Sequence, residues 1–258
     1  MSRFFALVSL LALAGLLCAP AGAADLQDDV RPFISIIEDA AVASDGYAEG
    51  QFRYMSYENY NAIGFGGLGA YRVAPQVEAG ARLAFASVDP DQGDSESGLT
   101  DLDLYARFTA TETAEMRIAV GGLINLPVGS EDIAEGTFDF EGFGAIRYGL
   151  ENLTFLGHFG FRINGELDRN GHKTDRETQF LFGGGVLFAA SEQATVTGEF
   201  TFRSKEYEGG EGALQLTPGI DFALPSGLRL RGAMALGLTD GAADIELIAG
   251  VAIPFAQE

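Results

Sequence analysis

The sequence has few of the residues that mark several common protein classes. Its 258 residues include one cysteine, Cys18, so a disulfide framework and a cysteine-based zinc site are both excluded. Only 16 Lys and Arg stand against 37 Asp and Glu, which gives a net charge of -21. A nucleic-acid partner requires a basic surface, so this balance argues against nucleic-acid binding.

Long hydrophobic runs are also scarce, and the clearest one lies at the start of the chain. Residues 4–17 are apolar, follow Arg3, and precede Ala-Gly-Ala at 21–23. This run is shorter than the roughly 20 residues of a membrane-spanning helix, and its order is that of a secretory signal peptide. We predict a signal peptide over residues 1–23. A lipoprotein role for Cys18 is disfavoured because Leu17 precedes it.

From about residue 48 the apolar residues recur with period two. In one clear run, Leu104 and Phe108 alternate with Asp103, Tyr105 and Arg107. Twelve such runs are joined alternately by tight turns and by longer polar loops. Short turns at one end, longer loops at the other and an even strand number are typical of a transmembrane β-barrel. We predict an all-β fold, an antiparallel up-and-down transmembrane barrel of about 12 strands, over residues 48–258.

Charge placement decides which face of these strands meets lipid. A soluble sandwich has the same period, but it places strand charges in open solvent, where lysine serves as well as arginine. Here lysine occurs only as Lys173 and Lys205, and arginines interleave with acids opposite the apolar stripe. This pattern favours a confined lumen in which arginine bridges carboxylates. We further expect the glycines at 64–69 and 183–185 to supply the bends that close a barrel.

Four segments carry a resemblance to a known family. They are GLTDLDLYARF at 98–108, LINLPVGSED at 123–132, PGIDFALPSGLRLRG at 218–232 and GLTDGAADIELIAGVAIPF at 237–255. Over roughly residues 60–255 the chain resembles the outer-membrane transporter-like barrels associated with the meta-pathway of phenol degradation. The resemblance implies a solute channel in the outer membrane of a Gram-negative-type bacterium, without implying phenol as solute. It also implies recognition by the barrel-insertion machinery, which reads an aromatic residue at the end of such barrels. Here Phe255 keeps the lipid-facing register but is followed by three residues, which departs from that pattern.

Enzymatic and cofactor motifs are weak. Residues 64–69 spell the dinucleotide fingerprint, but the strand pattern continues through Val73 where a helix is required, so we expect no cofactor. The two histidines, His158 and His172, do not make a metal centre. An outer-membrane hydrolase using His158 stays an alternative, although no serine shares its strand and we predict no enzyme.

One acidic loop is a candidate cation-binding loop, carried by Asp89, Asp91, Asp94 and Glu96. It lacks the residue order of an EF-hand. A solvated acidic loop and a divalent-cation bridge to lipopolysaccharide are the other interpretations.

The predicted function is passive passage of small neutral, weakly cationic or amphipathic, including aromatic, solutes through a narrow charged lumen. The pore-lining candidates are Arg53, Arg107, Arg147, Arg162, Arg203, Arg231, Asp101, Asp103, Glu141, Glu199 and His158. We expect the arginines and the acids to form two opposing ladders. A non-conducting structural or adhesive barrel with acidic surface loops is the alternative. Residues 24–47 do not follow the strand pattern, and a plug, a periplasmic extension, a further strand and a short helix all stay open.

Overall fold

The computed structural model of the protein describes residues 30–31, 34–35, 37–169 and 172–255. The predicted signal peptide, Cys18, the side chain of His172 and residues 256–258 lie outside this part. The described residues form no helix long and apolar enough to cross a membrane. They form strands β1 (Gly46–Ser56), β2 (Tyr60–Ala74), β3 (Val77–Pro90), β4 (Glu96–Leu99), β5 (Leu102–Glu112), β6 (Met116–Leu126), β7 (Asp139–Leu150), β8 (Leu153–Ile163), β9 (Leu167–Arg169), β10 (His172–Thr174), β11 (Gln179–Ala189), β12 (Ala194–Arg203), β13 (Ala213–Ala223), β14 (Arg229–Gly237) and β15 (Ile245–Pro254).

Twelve long antiparallel strands close into a barrel. Each pairs with its neighbours along the chain, and β1 closes the ring by pairing with β15, from Tyr47 opposite Pro254 to Ser56 opposite Ile245. The short strand β4 pairs with β3 and continues the line of β5 after a one-residue shift at residues 100–101. The short hairpin β9–β10 forms a separate sheet within a loop. The predicted fold class is therefore confirmed, whereas β4 and the hairpin have no counterpart in the sequence prediction.

The two ends of the barrel differ as the sequence predicts. Tight connections lie at 75–76, 113–115, 151–152, 190–193 and 224–228, at the end where β1 begins and β15 finishes. The other end carries the longer loops 91–95, 127–138, 164–178, 204–212 and 238–244, together with the short turn 57–59. In outer-membrane barrels the short turns face the periplasm and the longer loops face outward. The chain thus enters the barrel from its periplasmic end.

The period-two pattern places large apolar side chains on the outer wall. On β5, Leu104 and Phe108 are 41% and 43% exposed, whereas Tyr105 and Arg107 are buried. The same alternation holds on β7, where Phe140 and Ile146 face outward and Asp139 and Arg147 are buried. Leaving one such apolar side chain in water costs roughly 1.5–3 kcal/mol, so a wall of them requires a lipid environment. The barrel therefore lies in the membrane with its charges turned inward.

The glycine groups lie in regularly paired parts of the strands, and their role in bending the strands stays a prediction. Strand pairing runs without a shift through 64–69 and through 183–185. The irregularities fall instead at Arg72–Ala74 and Thr109–Thr111. Several strand glycines make room for a neighbouring side chain: a Cβ on Gly121 would collide with the ring of Phe143.

The outer loops are joined by a buried arginine. Arg176, between β10 and β11, has a side chain only 1% exposed. Its guanidinium bonds to Glu135 Oε2 at 2.6 Å, to Glu206 Oε1 at 2.7 Å and to Asp139 Oδ1 at 3.1 Å. The three carboxylates belong to loop 127–138, loop 204–212 and the start of β7, so one cation fixes three neighbouring parts of the outer rim. Burial and the nearby Asp139 raise the pKa of Glu135, although Arg176 opposes this change.

Replacing Arg176 by methionine should loosen this rim. The substitution leaves three carboxylates without their shared cation, and breaking a buried ion pair in this way costs about 3–5 kcal/mol. We expect faster cleavage of the loops by a glutamate-specific protease in reconstituted vesicles. Lys173→Met is the matched control, because Lys173 pairs with Glu166 in solvent and both side chains are exposed. Equal cleavage rates for Arg176→Met and the wild type would contradict this assignment.

Candidate functional site

The lumen contains the chain segment that precedes β1. This N-terminal segment, meaning the described residues 30–31, 34–35 and 37–45, bonds to inward-facing side chains of β1, β3, β5, β7, β12 and β14. From the sequence, this region could be a plug, a periplasmic extension, a further strand or a short helix. Its described residues form neither strand nor helix, and they lie inside the barrel.

The first contacts lie near the periplasmic end. The backbone N–H of Ala43 donates to Glu78 Oε2 at 2.9 Å, and Thr109 Oγ1 donates to the carbonyl of Ala40 at 2.9 Å. Arg107 Nη2 pairs with Glu78 Oε1 at 2.6 Å, while its Nη1 donates to the carbonyl of Asp39 at 3.2 Å. The same side chains therefore bond the barrel wall and the segment at once.

Deeper in the lumen, Glu38 collects three arginines. Its Oε1 lies 3.1 Å from Arg31 and 3.1 Å from Arg82, and its Oε2 lies 3.9 Å from Arg107. Burial alone would raise the pKa of Glu38, but the guanidiniums of these arginines outweigh burial and lower that pKa to about 2. Glu38 is thus a fixed negative charge, and one of the three arginines that hold it belongs to the segment itself.

The segment then turns back toward the periplasmic end. Glu199 accepts hydrogen bonds from the backbone N–H groups of Ile34 and Ser35, each at 3.3 Å, and from the Ser35 hydroxyl. Arg53 Nη2 donates to the carbonyl of Ile34 at 2.7 Å. Val30 packs in one apolar cluster with Ala43 and Tyr47, close to where the chain enters β1. The described segment is therefore a loop that enters the lumen and returns.

Shape reinforces these polar contacts. Ile37 is fully buried against Leu156 and Leu187 on the barrel wall. A Cβ on Gly183 would lie 2.9 Å from Ile37 Cγ1, so Gly183 provides the space that Ile37 fills. Ala40 packs in the same way against Ala119 and Ala145. Small wall residues thus follow the path of the segment.

The structure places five of the eleven predicted pore-lining residues against this segment. Arg53, Arg107 and Glu199 bond to it as described, Arg147 Nη1 lies 3.3 Å from Asp39 Oδ2, and Arg231 donates to the carbonyl of Arg31. The arginines and acids do not form two opposing ladders, because they alternate along the same strands. Asp103 shares β5 with Arg107, Glu141 shares β7 with Arg147, and Glu199 shares β12 with Arg203.

The remaining acidic and basic candidates lie nearer the outer end. Arg162 Nη2 pairs with Asp139 Oδ2 at 2.9 Å, and Asp103 accepts from Asn125 at 2.9 Å. Asp101 accepts the backbone N–H groups of residues 129 and 136 at 3.0 and 2.9 Å, so it anchors loop 127–138. Glu141 and Arg203 make no side-chain hydrogen bond or ion pair within the described chain.

His158 is buried in the wall of the lumen. Its ring meets the ring of Phe143 edge-on, with centroids 5.9 Å apart and planes at 68°. Neither ring nitrogen has a hydrogen-bond partner among the described residues. This geometry supports a packing role for His158.

The acidic loop carries no converging set of ligands. Ser95 Oγ donates to Asp89 Oδ1 at 2.5 Å, while Asp91, Asp94 and Glu96 line an open groove of about 670 Å³ beside Tyr60. No group of three or more His, Cys, Asp or Glu side chains that could hold a metal ion occurs in the part of the chain described.

Several site residues were missed by sequence reasoning. Glu38 and Asp39 lie in a region without strand periodicity, and Glu49, which binds Arg231 Nη1 at 2.8 Å, lies at the start of a weak run. The one available signal was an acidic pair inside an otherwise apolar and small-residue segment.

Comparison with solved structures identifies the fold. An outer-membrane channel from Pseudomonas putida F1 superposes with a TM-score of 0.73 over 86% of this chain and 100% of its own, at 10% sequence identity. The KdgM porin gives 0.58 over 81% and 99%, at 8% identity, and the NanC porin gives 0.56 over 82% and 100%, at 11% identity. No family model and no curated protein matches the sequence, and nothing connects it specifically to the phenol meta-pathway. The chain is an outer-membrane β-barrel with the fold of channels and porins.

Proposed function

We propose that the protein is a passive outer-membrane channel closed by its own N-terminal segment. Its solutes are small neutral, weakly cationic or amphipathic molecules, including aromatic ones. The observation that carries this proposal is that the barrel encloses a length of backbone in addition to side chains.

The width of the barrel supports a passage. An eight-stranded barrel is filled by its own side chains, and wider barrels leave space inside. Here the space is occupied by a segment that enters at the periplasmic end and bonds to charged wall residues such as Arg107 and Glu199. Displacing the segment uncovers a lumen lined by polar groups, which is the interior that a water-filled channel requires.

The charge distribution supports the solute class. Wall arginines pair with carboxylates, as in Arg53–Glu246 and Arg229–Asp221, so the lumen offers little net field. The loop bearing Asp89, Asp91 and Asp94 makes the outer mouth acidic. Such a mouth repels anions and mildly enriches cations.

A non-conducting structural or adhesive barrel is the second candidate. It is favoured by the pairs that join the segment to the wall, Arg82–Glu38 and Arg147–Asp39, because they also rigidify a closed barrel. Conductance separates the two candidates.

The proposed partners follow from the location. We infer that the outer acidic loops hold divalent cations that bridge to lipopolysaccharide, and that the insertion machinery reads Phe255. The outward position of Phe255 at the end of β15 supports the second inference.

Removing the segment should open the channel. A variant lacking residues 30–44 keeps all twelve barrel strands, and in planar bilayers we expect a larger single-channel conductance than for the intact protein. An unbroken baseline from the correctly inserted deletion variant would contradict a channel function and support the structural barrel.

Gly183→Leu should produce a milder opening without any deletion. The new side chain occupies the space of Ile37 and so displaces the segment. We expect more frequent open events in bilayer recordings. Gly184→Leu is the matched control on the same strand, because alternation turns residue 184 toward lipid. The interpretation fails if both variants behave alike.

Acid should also favour opening. The pKa of Glu38 is about 2 when the segment is docked, against an ordinary value of 4.5 when it is released. A lowered pKa stabilises the docked state above pH 4.5, and this contribution is lost as the pH falls from about 4.5 toward 2. The difference corresponds to roughly 3 kcal/mol, or on the order of 100-fold in the docking equilibrium.

Open probability should therefore rise on acidification below about pH 4.5, measured in bilayers with buffered symmetric salt. Glu38→Gln should show raised opening at pH 7 and a weaker dependence on pH. Glu112→Gln, which removes an exposed partner of Arg117, should keep the wild-type profile. A pH profile that is unchanged in Glu38→Gln would argue against this role of Glu38.

A further inference from the structure

Two inward-facing charges are left without partners in a lumen that pairs the others. Along the twelve barrel strands of the described chain, the remaining inward acids and arginines bond to an opposite charge, a backbone group or a polar side chain. Glu141 on β7 and Arg203 on β12 have none of these partners among the described residues. Neither side chain forms a hydrogen bond or an ion pair within 4.0 Å there.

The two residues lie on the same stretch of wall. Strands β7, β8, β11 and β12 are consecutive in the barrel; Glu141 lies opposite Arg162, Arg162 opposite Gln179, and Leu181 opposite Arg203. Arg162, which stands between them, is engaged by Asp139 at 2.9 Å. Glu141 and Arg203 thus face the same part of the lumen, and they form no ion pair with each other within 4.0 Å.

Glu141 and Arg203 are both half-buried, so their polar atoms can be reached from the lumen. Arginine carries five N–H donors and a carboxylate accepts up to about four hydrogen bonds. A half-buried charge without a protein partner keeps its donors or acceptors for other molecules, so the space beside these two groups is open to water or to a solute.

Glu141 and Arg203 lie between the outer mouth of the barrel and the N-terminal segment. Arg203 is the last residue of β12, at the outer end of the barrel. Glu141 lies within the electrostatic influence of Glu38, which belongs to the N-terminal segment. A solute that enters from outside therefore reaches the pair before it meets the segment.

The surrounding charges restrict the ligand to one that carries both signs. A simple anion at Arg203 would face Glu141, Glu206 and Glu135. A simple cation at Glu141 would face Arg162, Arg82 and Arg203. A molecule with an ammonium and a carboxylate satisfies both residues and brings no net charge into a balanced lumen.

We propose that Glu141 and Arg203 form a binding subsite for a small zwitterion of the amino-acid type. The ammonium donates to Glu141, and the carboxylate accepts from Arg203. This inference rests on the proposed function, because it requires solute to enter the lumen, and it specifies one solute class within it.

Titration calorimetry on the full mature chain, folded in detergent micelles, tests the subsite without requiring conduction. The probes are glycine and γ-aminobutyrate, which hold the two charged groups at short and long separation, with acetate and methylammonium as single-charge controls. We expect one or both zwitterions to bind more tightly than either control. Binding by neither zwitterion, or equally tight binding of a control, overturns the proposal.

Substitutions assign the two ends of the ligand. Glu141→Gln and Arg203→Gln should each weaken zwitterion binding by about tenfold or more, since each removes a charge-assisted hydrogen bond. Arg117→Gln and Glu112→Gln are the controls, because that exposed pair lies at the opposite end of the barrel. If the controls weaken binding as much as the test variants, the subsite is not at Glu141 and Arg203.

Conductance and unfolding measurements distinguish a failed subsite from a failed channel. If a zwitterion binds but no variant conducts, the subsite is supported and the channel function is contradicted. If the protein conducts but binds no zwitterion, only the subsite is contradicted. A double-mutant cycle on urea unfolding is run without zwitterion. Strong coupling between Glu141 and Arg203 there would show that they pair with each other, which also overturns the proposal.

Discussion

A charge that points into a closed barrel has to find its partner inside that barrel. Where protein fills the lumen, a buried guanidinium or carboxylate without a partner costs several kcal/mol. In this protein the wall does not satisfy its charges alone. Glu78 and Arg107 bond each other and also the backbone of the N-terminal segment, and Glu199 is satisfied almost wholly by Ile34 and Ser35. The hydrogen bonds that stabilise the barrel wall and those that hold the N-terminal segment are therefore made by the same side chains.

The sequence predicts what is local and periodic. The outward positions of Leu104 and Phe108 and the inward positions of Tyr105 and Arg107 follow from period two, and twelve repeats of that pattern predict the barrel. The orientation follows from charge placement. These features need no knowledge of which strand lies opposite which.

The contents of the lumen depend on contacts that no local pattern records. Ile34 and Glu199 are 165 residues apart in the chain, and Glu38 takes its arginines from the segment, from β3 and from β5. The role of Arg176 in joining the outer loops is also not predictable from the sequence, where it is one arginine in a loop among many acidic residues. The predicted pairing of arginine with carboxylate was sound chemistry, but two separate ladders were impossible once both signs shared a strand.

The glycine content has a similar explanation. In the described chain the glycines with positive φ lie in turns and loops, at residues 93, 136, 209 and 227, and the strand glycines are extended. Gly183 is small because Ile37 lies over it, and Gly121 because the ring of Phe143 does. Some strand positions are therefore glycine because a larger side chain inside the barrel lies directly over them.

The strength of the closure follows from the kind of bond that makes it. A buried ion pair gives little net stability, because the cost of removing two charges from water offsets much of their attraction. Such pairs do fix geometry: Glu38 among three arginines and Asp39 beside Arg147 allow the segment one seating. When the segment leaves, the exposed carboxylates and guanidiniums regain hydration, so the free energy of release is smaller than the number of bonds implies. Ion pairs and hydrogen bonds from charged wall residues to the backbone therefore fix the position of the segment at a modest net free energy, which is the combination that a removable closure requires.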